Sequence, residues 1–277
     1  MKHEKISIVT CSYQQGRFLE ATIRSVLDQR YPNLEYVIFD GGSTDESVDI
    51  LRRYDDAISY WQSAPDAGQT DALARGMGRT TGEILGWLCS DDLLLPGALD
   101  AVSEFFHQHP EVEAVYGDAL WIDEQGELIR PKKEIDFNRF VFHYDHNYIP
   151  QPSMFWRRAL YEKVGGLNRR FNLAMDADLW DRFSQFTKIA HLPRYLSCMR
   201  YYPEQKTRAM RAEAMREDAE IRARSALAGY ARLQPWLHRL ARLRRRASRL
   251  LIGGYFNRVP PRLIEDLGRY RIAGGQR

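Results

Sequence analysis

Short strand-like runs alternate with helix-like segments through the first ~120 residues, and this alternation constrains the fold more than any other feature. Each run is apolar and rich in β-branched or aromatic residues, and apolar residues at helical spacing follow it. Such repetition predicts an α/β protein with a mostly parallel, doubly wound sheet that helices cover on both faces. The predicted strands are Ile6–Ser12, Tyr36–Phe39, Ile58–Trp61, Ile84–Cys89 and Val112–Tyr116.

The segments that follow the predicted strands are polar, and they mark where a ligand is expected. Open α/β sheets bind their ligands at the carboxyl ends of the strands, near a switch point in strand order. Four such segments are present, and three of them carry carboxylates. They are Thr10–Tyr13, Asp40–Ser43, Ala64–Gly68 and Ser90–Asp92.

Two adjacent acids, Asp91 and Asp92, directly follow an apolar strand. Like charges at the edge of a low-dielectric sheet are costly unless a cation or hydrogen bonds compensate them. A hard divalent cation such as Mg²⁺ or Mn²⁺, completed by phosphate oxygens, would compensate both charges. The alternative is a structural one, because acids also favour the start of a helix, here near Pro96.

Three further acids are candidates on position alone. Asp40 follows a buried strand and precedes two glycines, so it could accept hydrogen bonds from a ligand, or it could simply stabilise a turn. Asp176 and Asp178 lie at the start of a predicted amphipathic helix. Either could be a general base for a hydroxyl group, and either could equally complement the helix dipole.

An ordered set of short motifs runs over residues ~6 to ~203. The motifs are Thr10–Tyr13, Phe39–Asp45, Asp66–Gln69, Gly82–Ile84, Ser90–Asp92, Gln151–Ser153 with Phe155 and Arg157, Gly165–Leu167 and Asp176–Trp180. No single motif is specific, but the order and the spacing of the whole set are. The set resembles the family 2 glycosyltransferases, which have the Rossmann-like GT-A fold, and the resemblance is closest to members that build surface polysaccharides.

The resemblance implies a site for a nucleotide-diphosphate sugar, with a UDP-sugar favoured. It also implies a divalent cation, Mn²⁺ or Mg²⁺, because Asp91 and Asp92 match the family's acidic metal-binding pair. Asp92 would be the more direct metal ligand. The donor-binding residues that it implies are Thr10, Ser12, Tyr13, Asp40, Asp66, Gln69 and Asp91.

On the acceptor side, Asp176 matches the family's catalytic base, while Asp178 and Trp180 would lie beside the acceptor. A single base and an in-line displacement imply inversion at the anomeric carbon. The acceptor would be a hydroxyl group of a saccharide or a lipid-linked saccharide. The sequence departs from the family pattern at Met175, often Glu, at Ala74, often Asn, and at Tyr202, where a metal-binding histidine is common.

The charge of the chain is divided unevenly, which separates residues 1–206 from residues 207–277. The second part holds 17 arginines, no lysine and six acids, whereas the first part has a net charge of −8. We therefore predict a GT-A domain over 1–206 and a basic, Arg-rich helical extension over 207–277.

Residues 235–251 of this extension have leucines on one predicted helical face and arginines elsewhere. This pattern suits an anionic membrane surface, and it equally suits a helix that packs its apolar face on the domain. A basic stripe can also bind nucleic acid, but the extension lacks a known binding module, so we expect no nucleic-acid partner.

The three cysteines are far apart and show no metal-binding spacing, which predicts reduced thiols in a cytoplasmic protein. No apolar stretch approaches the roughly 18 residues that span a bilayer. We expect a cytoplasmic protein, with peripheral association at the inner membrane face.

The residues by themselves leave two rival functions open. One is a nucleotidyltransferase, although the segment 10–17 has a single glycine. The other is a non-catalytic subunit that binds nucleotide-sugars.

Overall fold

The structure is a computed structural model, and it describes residues 3–224, 233–255 and 258–272. Nine strands of these described residues form one sheet in the order β3-β2-β1-β4-β8-β6-β9-β5, with β7 paired to β6. The strands are β1 Ile6–Ser12, β2 Leu34–Asp40, β3 Tyr60–Ser63, β4 Ile84–Trp87, β5 Leu93–Leu94, β6 Ala114–Ile122, β7 Leu128–Lys132, β8 Met154–Arg157 and β9 Ala190–Arg200.

The first four strands in this order are parallel, and beyond β4 the pairs are antiparallel except that of β6 with β9, which is parallel. Strand β1 lies between β2 and β4, so the strand order reverses direction beside it. All seven residues of β1 are buried, which is expected of a strand covered on both faces. The predicted α/β fold is confirmed.

Helices cover both faces of this sheet, and those before residue 110 lie where the helical spacing predicts them. The helices are α1 Gly16–Leu27, α2 Ser47–Arg53, α3 Gln69–Arg79, α4 Ala98–Gln108, α5 Arg139–Tyr144, α6 Arg158–Lys163, α7 Met175–Phe183, α8 Lys206–Ala209, α9 Arg211–Ala223, α10 Gln234–Leu251 and α11 Pro261–Leu267, with 3₁₀ turns at Gln151–Ser153 and Gly268–Tyr270.

The two largest apolar cores of the described residues lie on the two faces of the sheet. One is largely aliphatic and joins β1 and β2 to α1, α2 and α4. The other contains three tryptophans, Trp87 of β4, Trp156 of β8 and Trp180 of α7. The rings of Trp87 and Trp180 are stacked with centroids 5.4 Å apart, and Trp156 lies 5.3 Å from Trp180. This cluster fixes helix α7 against the centre of the sheet.

The basic extension contacts the rest of the chain through α9, through α10 and through the buried side chains of Leu267 and Tyr270. Ile221 of α9 is buried in the tryptophan-containing core, and Ala241 of α10 is fully buried. The division at residue 206 stays a prediction. Among the described helices, none has the length and the apolar character that a bilayer crossing requires.

The burial of Ile221 leads to a test of how far the extension contributes to folding. We expect Ile221→Ala to lower the free energy of unfolding by about 2–4 kcal/mol, because it leaves a cavity in the core. Met215→Ala on the same helix is the control, since Met215 is 63% exposed. Urea denaturation of the two variants measures the difference. Equal midpoints would show that α9 adds nothing to the core.

Candidate active site

The carboxyl ends of β1, β2 and β4 meet at one edge of the sheet, and the predicted donor residues converge there. Ser12 is aligned with Asp40 in the neighbouring strand, and Gly41 N donates to Ser12 O over 2.8 Å. The Ser12 hydroxyl is buried and has no partner among the described residues, so it is available to a ligand.

Gly41 brings two more of these residues together. A Cβ atom at Gly41 would lie 3.2 Å from the Tyr13 ring and 3.1 Å from the Asp66 carboxylate. The backbone therefore passes closely between an aromatic ring and an acid, which only glycine permits without displacement of its neighbours. Tyr13 is 62% exposed and free to stack on a planar group, as a nucleotide base is.

Asp40 is buried and its carboxylate is fully engaged within the loop. Oδ2 accepts from Gly42 N, Ser43 N and the Ser63 hydroxyl at 2.7–3.1 Å, and Oδ1 accepts from the Ser43 hydroxyl at 2.6 Å. Thr10 is also fully buried, and its hydroxyl lies 3.0 Å from that of Tyr36. In this geometry both side chains organise the edge of the sheet from within.

The acidic pair Asp91 and Asp92 lies at the same edge, just beyond β4. Each carboxylate uses one oxygen for the hydrogen bonds found among the described residues. Asp91 Oδ2 accepts from the Tyr202 hydroxyl at 2.8 Å, and Asp92 Oδ1 accepts from Arg200 N at 2.9 Å. Burial, followed by the charge of Asp91, raises the pKa of Asp92 well above its usual value. The negative charge of the pair is therefore only partly compensated.

These residues fit a divalent cation. Ligand atoms of Cys89, Asp91 and Asp92 lie within 4.8 Å of one another, and two of the three are hard carboxylate oxygens. Tyr202 stands where a histidine ligand was expected, and burial raises the pKa of its phenol. The neutral hydroxyl thus orients Asp91 as a hydrogen-bond donor.

The buried guanidinium of Arg200 is a feature that the sequence analysis did not assign. It is fully buried, and it donates to the main-chain oxygens of Asp91, Asp123 and Glu124 at 2.7–2.9 Å. It thereby holds the acidic loop against strand β9 and places a positive charge behind it. Its only sequence signal was its place two residues before Tyr202.

A chain of polar contacts connects the acidic edge to the segment that precedes α7. Gln69 Nε2 lies 3.3 Å from Cys89 Sγ, and its Oε1 accepts from Lys206 Nζ at 3.4 Å. Lys206 Nζ also donates to Asn172 O at 3.0 Å. A lysine from beyond the sheet therefore brings its charge to the predicted donor residue Gln69.

Asp176 lies in the first turn of α7 and is only partly buried. Its Oδ2 accepts from Asn147 Nδ2 at 2.9 Å. Burial raises the pKa of Asp176 to about 6, although the hydrogen bonds to its carboxylate act in the opposite direction. A carboxylate with this pKa is mostly ionised at neutral pH and is a stronger base than an ordinary aspartate.

The other two predicted acceptor residues have structural contacts. Asp178 Oδ2 accepts two bonds from Arg182, at 2.9 and 2.7 Å, and its Oδ1 lies 3.6 Å from Arg224. Trp180 is fully buried in the stack with Trp87. In this geometry Trp180 packs beneath α7. Of the two acids, Asp178 is buried and Asp176 is partly exposed.

Glu217 of α9 holds the loop that leads into α7, and the sequence analysis did not identify it. Its carboxylate accepts from the backbone N–H groups of Asn172, Leu173 and Ala174 at 2.8–3.2 Å. A negative charge at this end of a helix complements its dipole and satisfies N–H groups that have no partner within the helix. A residue 41 positions after Asp176 thus fixes the start of the helix that carries it.

Comparison with known proteins identifies the family. The sequence model described as Glycosyl transferase family 2 matches residues 7–165, which is more than half of the chain. The chain belongs to this family. The resemblance inferred from the motifs is confirmed. The site described above therefore lies in a member of a glycosyltransferase family.

Two of the similar proteins are named as glycosyltransferases of mycobacteria. An uncharacterised glycosyltransferase of Mycobacterium tuberculosis is 31% identical over 181 residues, which cover 62% of this chain and 66% of that protein. A PGL/p-HBAD biosynthesis glycosyltransferase of Mycobacterium bovis is 29% identical over 195 residues, covering 69% of this chain and 73% of that protein.

Solved structures of low sequence identity share the fold. Staphylococcus aureus TarS 1-349, in complex with UDP-GlcNAc, superposes with a TM-score of 0.64 at 17% identity, covering 96% of this chain and 80% of that one. The mannosyltransferase PcManGT of Pyrobaculum calidifontis, in complex with GDP-Man and Mn²⁺, gives 0.61 at 17% identity, over 97% and 80% of the two chains. These likenesses support the GT-A fold.

The role of Glu217 can be tested without touching the ligand-binding edge. We expect Glu217→Gln to lower the free energy of unfolding by about 1–3 kcal/mol, because an amide cannot accept as strongly from three N–H groups. Turnover should fall about tenfold as the start of α7 loosens. Glu213→Gln is the control, since Glu213 forms a surface ion pair with Arg216. A Glu217 variant with wild-type melting temperature and turnover would contradict this role.

Proposed function

We propose that this protein is an inverting glycosyltransferase. It would move a sugar from a nucleotide-diphosphate sugar, with a UDP-sugar favoured, to a hydroxyl of a saccharide or lipid-linked saccharide in surface polysaccharide or glycoconjugate synthesis. We expect the reaction in the cytoplasm, near the inner membrane face. One observation carries the proposal: the stack of Trp87 on Trp180 packs the helix of the base Asp176 against the strand that leads to Asp91 and Asp92.

The donor would bind across the carboxyl ends of β1, β2 and β4. Tyr13 and Ser12 offer a ring and an unpaired hydroxyl to the nucleoside, and Asp66 lies beside them. Lys206, held near Gln69, offers a positive charge to the diphosphate. This arrangement supports donor roles for Asp40 and Thr10 as organisers of the same edge.

Asp91 and Asp92 would hold a divalent cation, Mn²⁺ or Mg²⁺. When bound, such a cation offsets the negative charge that develops on the departing diphosphate. The residues of the chain prepare this site in its absence. Arg200 fixes the loop, and the Tyr202 hydroxyl donates to Oδ2 of Asp91 and orients this carboxylate.

Asp176 would act on the acceptor. Its carboxylate takes the proton of the acceptor hydroxyl as that oxygen bonds to the anomeric carbon, while the bond from this carbon to the diphosphate oxygen breaks. A single displacement of this kind inverts the anomeric configuration. Asn147 donates to Oδ2 and thereby helps to fix the orientation of this carboxylate.

The first test is release of the nucleoside diphosphate from a panel of nucleotide-sugars. We expect release from one donor in Mn²⁺ or Mg²⁺, loss with EDTA, and a fall of at least about 100-fold in Asp92→Ala, since removal of a metal ligand costs several kcal/mol of transition-state stabilisation. Asp100→Ala is the control, because Asp100 is an exposed acid on α4.

The outcomes of this test separate the proposal from its rivals. Donor binding by calorimetry without release, across a panel of acceptors, would favour a non-catalytic binding subunit. Release of pyrophosphate from a nucleoside triphosphate and a sugar phosphate would indicate a nucleotidyltransferase. Neither binding nor release with any donor would overturn the proposed function.

The pKa of Asp176 gives the transfer reaction a defined pH dependence. Because the base must be ionised, turnover should fall about tenfold per pH unit below pH 6 and level off above it. Asn147→Ala removes a hydrogen bond that favours the carboxylate, so this limb should move to higher pH. Asp176→Asn should lose about 10²–10⁴-fold in turnover while donor binding is kept.

Asn33→Ala is the control for this series, since Asn33 donates to His3 O far from the site. pH–rate profiles and calorimetric donor titrations measure the two quantities separately. An unmoved acid limb in Asn147→Ala would show that Asp176 does not set the pH dependence.

A further inference from the structure

The amphipathic helix α10 turns its apolar side away from the domain. Four large apolar residues of this helix lie on one face at spacings of three, four and seven residues. They are strongly exposed: Trp236 by 67%, Leu240 by 56%, Leu243 by 61% and Leu250 by 60%. The helix therefore does not pack its apolar face on the domain, which was the alternative that the sequence left open.

The opposite, more polar face of α10 makes the contacts with the domain. Ala241 is fully buried, His238 contacts the main-chain oxygen of Tyr144, and Arg245 pairs with Asp145. At 100° per residue these positions lie roughly 180° around the helix from the exposed apolar row. The polar side of α10 thus packs against the domain.

Two arginines of α10 attach the helix to Asp145. Arg245 donates to Oδ2, and Arg242 lies 3.6 Å from Oδ1. Burial disfavours the charge of Asp145, but the hydrogen bond and the charge of Arg245 more than offset this and hold the pKa of the carboxyl below its usual value. The orientation of the helix is fixed by these contacts, so the outward direction of the apolar row is a property of the fold.

Arginines border the apolar row. The helix carries six arginines and no acidic residue. Arg239 and Arg246 lie on one side of the row and Arg244 on the other, and all three are exposed. An apolar stripe between two cationic margins matches the layering of an anionic bilayer, in which headgroup phosphates lie above the acyl chains.

We infer that α10 is an in-plane membrane anchor, which inserts its apolar row into an anionic lipid surface. The helix is about 27 Å long, and its arginines exclude a spanning orientation. A second copy of the chain is a poorer occupant of this face, because two such faces would bring like charges together. Nucleic acid would use the arginines but would gain nothing from four large apolar side chains.

This anchor lies close to the candidate catalytic base. Asp145 contacts α10, and Asn147, two residues further along, donates to Asp176. At most ~7 Å of backbone separates the two attachment points. The inference thereby deepens the proposed function, on which this step rests: the acceptor side faces a lipid surface, so the acceptor hydroxyl belongs to a membrane-anchored saccharide.

Vesicle co-sedimentation of the full chain tests the anchor. We expect binding to phosphatidylcholine vesicles that contain about 30% phosphatidylglycerol. Binding to vesicles of phosphatidylcholine alone should be at least about tenfold weaker. The double variant Leu240→Glu, Leu243→Glu should lose binding at least about tenfold, and so should Arg239→Gln, Arg246→Gln. Ile129→Glu and Arg52→Gln are the controls, because both residues are exposed elsewhere on the chain.

Donor hydrolysis in solution separates the two proposals. The leucine variant should release nucleoside diphosphate at the wild-type rate, since its substituted residues are exposed and lie outside the donor site. Circular dichroism verifies that it is folded. If hydrolysis is absent in the wild type but vesicle binding is as expected, the anchor stands and the proposed function fails.

Three results would overturn the anchor. Unchanged vesicle binding in the leucine variant would exclude insertion. Loss only in the arginine variant, together with binding to DNA, would indicate a nucleic-acid surface. A wild-type dimer that the leucine variant converts to a monomer, without vesicle binding by either form, would assign the apolar row to a second copy.

Discussion

The stack of Trp87 on Trp180 is the contact on which the geometry of the site depends. Trp87 ends the central strand β4, two residues before Cys89, and Trp180 lies one turn beyond Asp176 in α7. Aromatic rings packed at this distance, inside a core that also holds Trp156, resist displacement because each buries a large apolar surface. The proposed donor edge and the proposed base Asp176 are therefore fixed relative to each other through the apolar core.

Around this core, the carboxylates of the candidate site keep part of their charge uncompensated. Asp91 and Asp92 are backed by Arg200, but only part of their charge is compensated. Asp176 is kept basic by burial, with one oxygen held by Asn147. Such groups weaken the fold, and in the proposed function they would favour the reaction, which is the usual relation between stability and function at enzyme sites. Glu217 and Asp145 are remote from these acids in sequence. Glu217 fixes the start of α7, and Asp145 holds α10 on the domain.

Much of the site was predictable because it is built from local patterns. A strand that ends in an acidic turn, as β4 does before Asp91 and Asp92, places those acids at the ligand-binding edge whatever the rest of the chain does. Asp40 and Ser12 follow the same rule. Glu217, Asn147, Lys206 and Arg200 were not predictable, since each reaches the site from a distant segment and no spacing in the sequence records that approach.

The sequence by itself determined the alternation of strands and helices, the order of the motifs and the amphipathic character of residues 235–251. These depend on periodicity and on nearest neighbours along the chain. The tertiary structure alone decided which way the amphipathic helix faces. Hydrophobic periodicity defines an apolar side but not its partner, and here the ion pairs of Arg245 and Arg242 with Asp145 turn that side away from the domain. Trp180 was decided in the same way, because its burial beneath the site follows from its stack on Trp87.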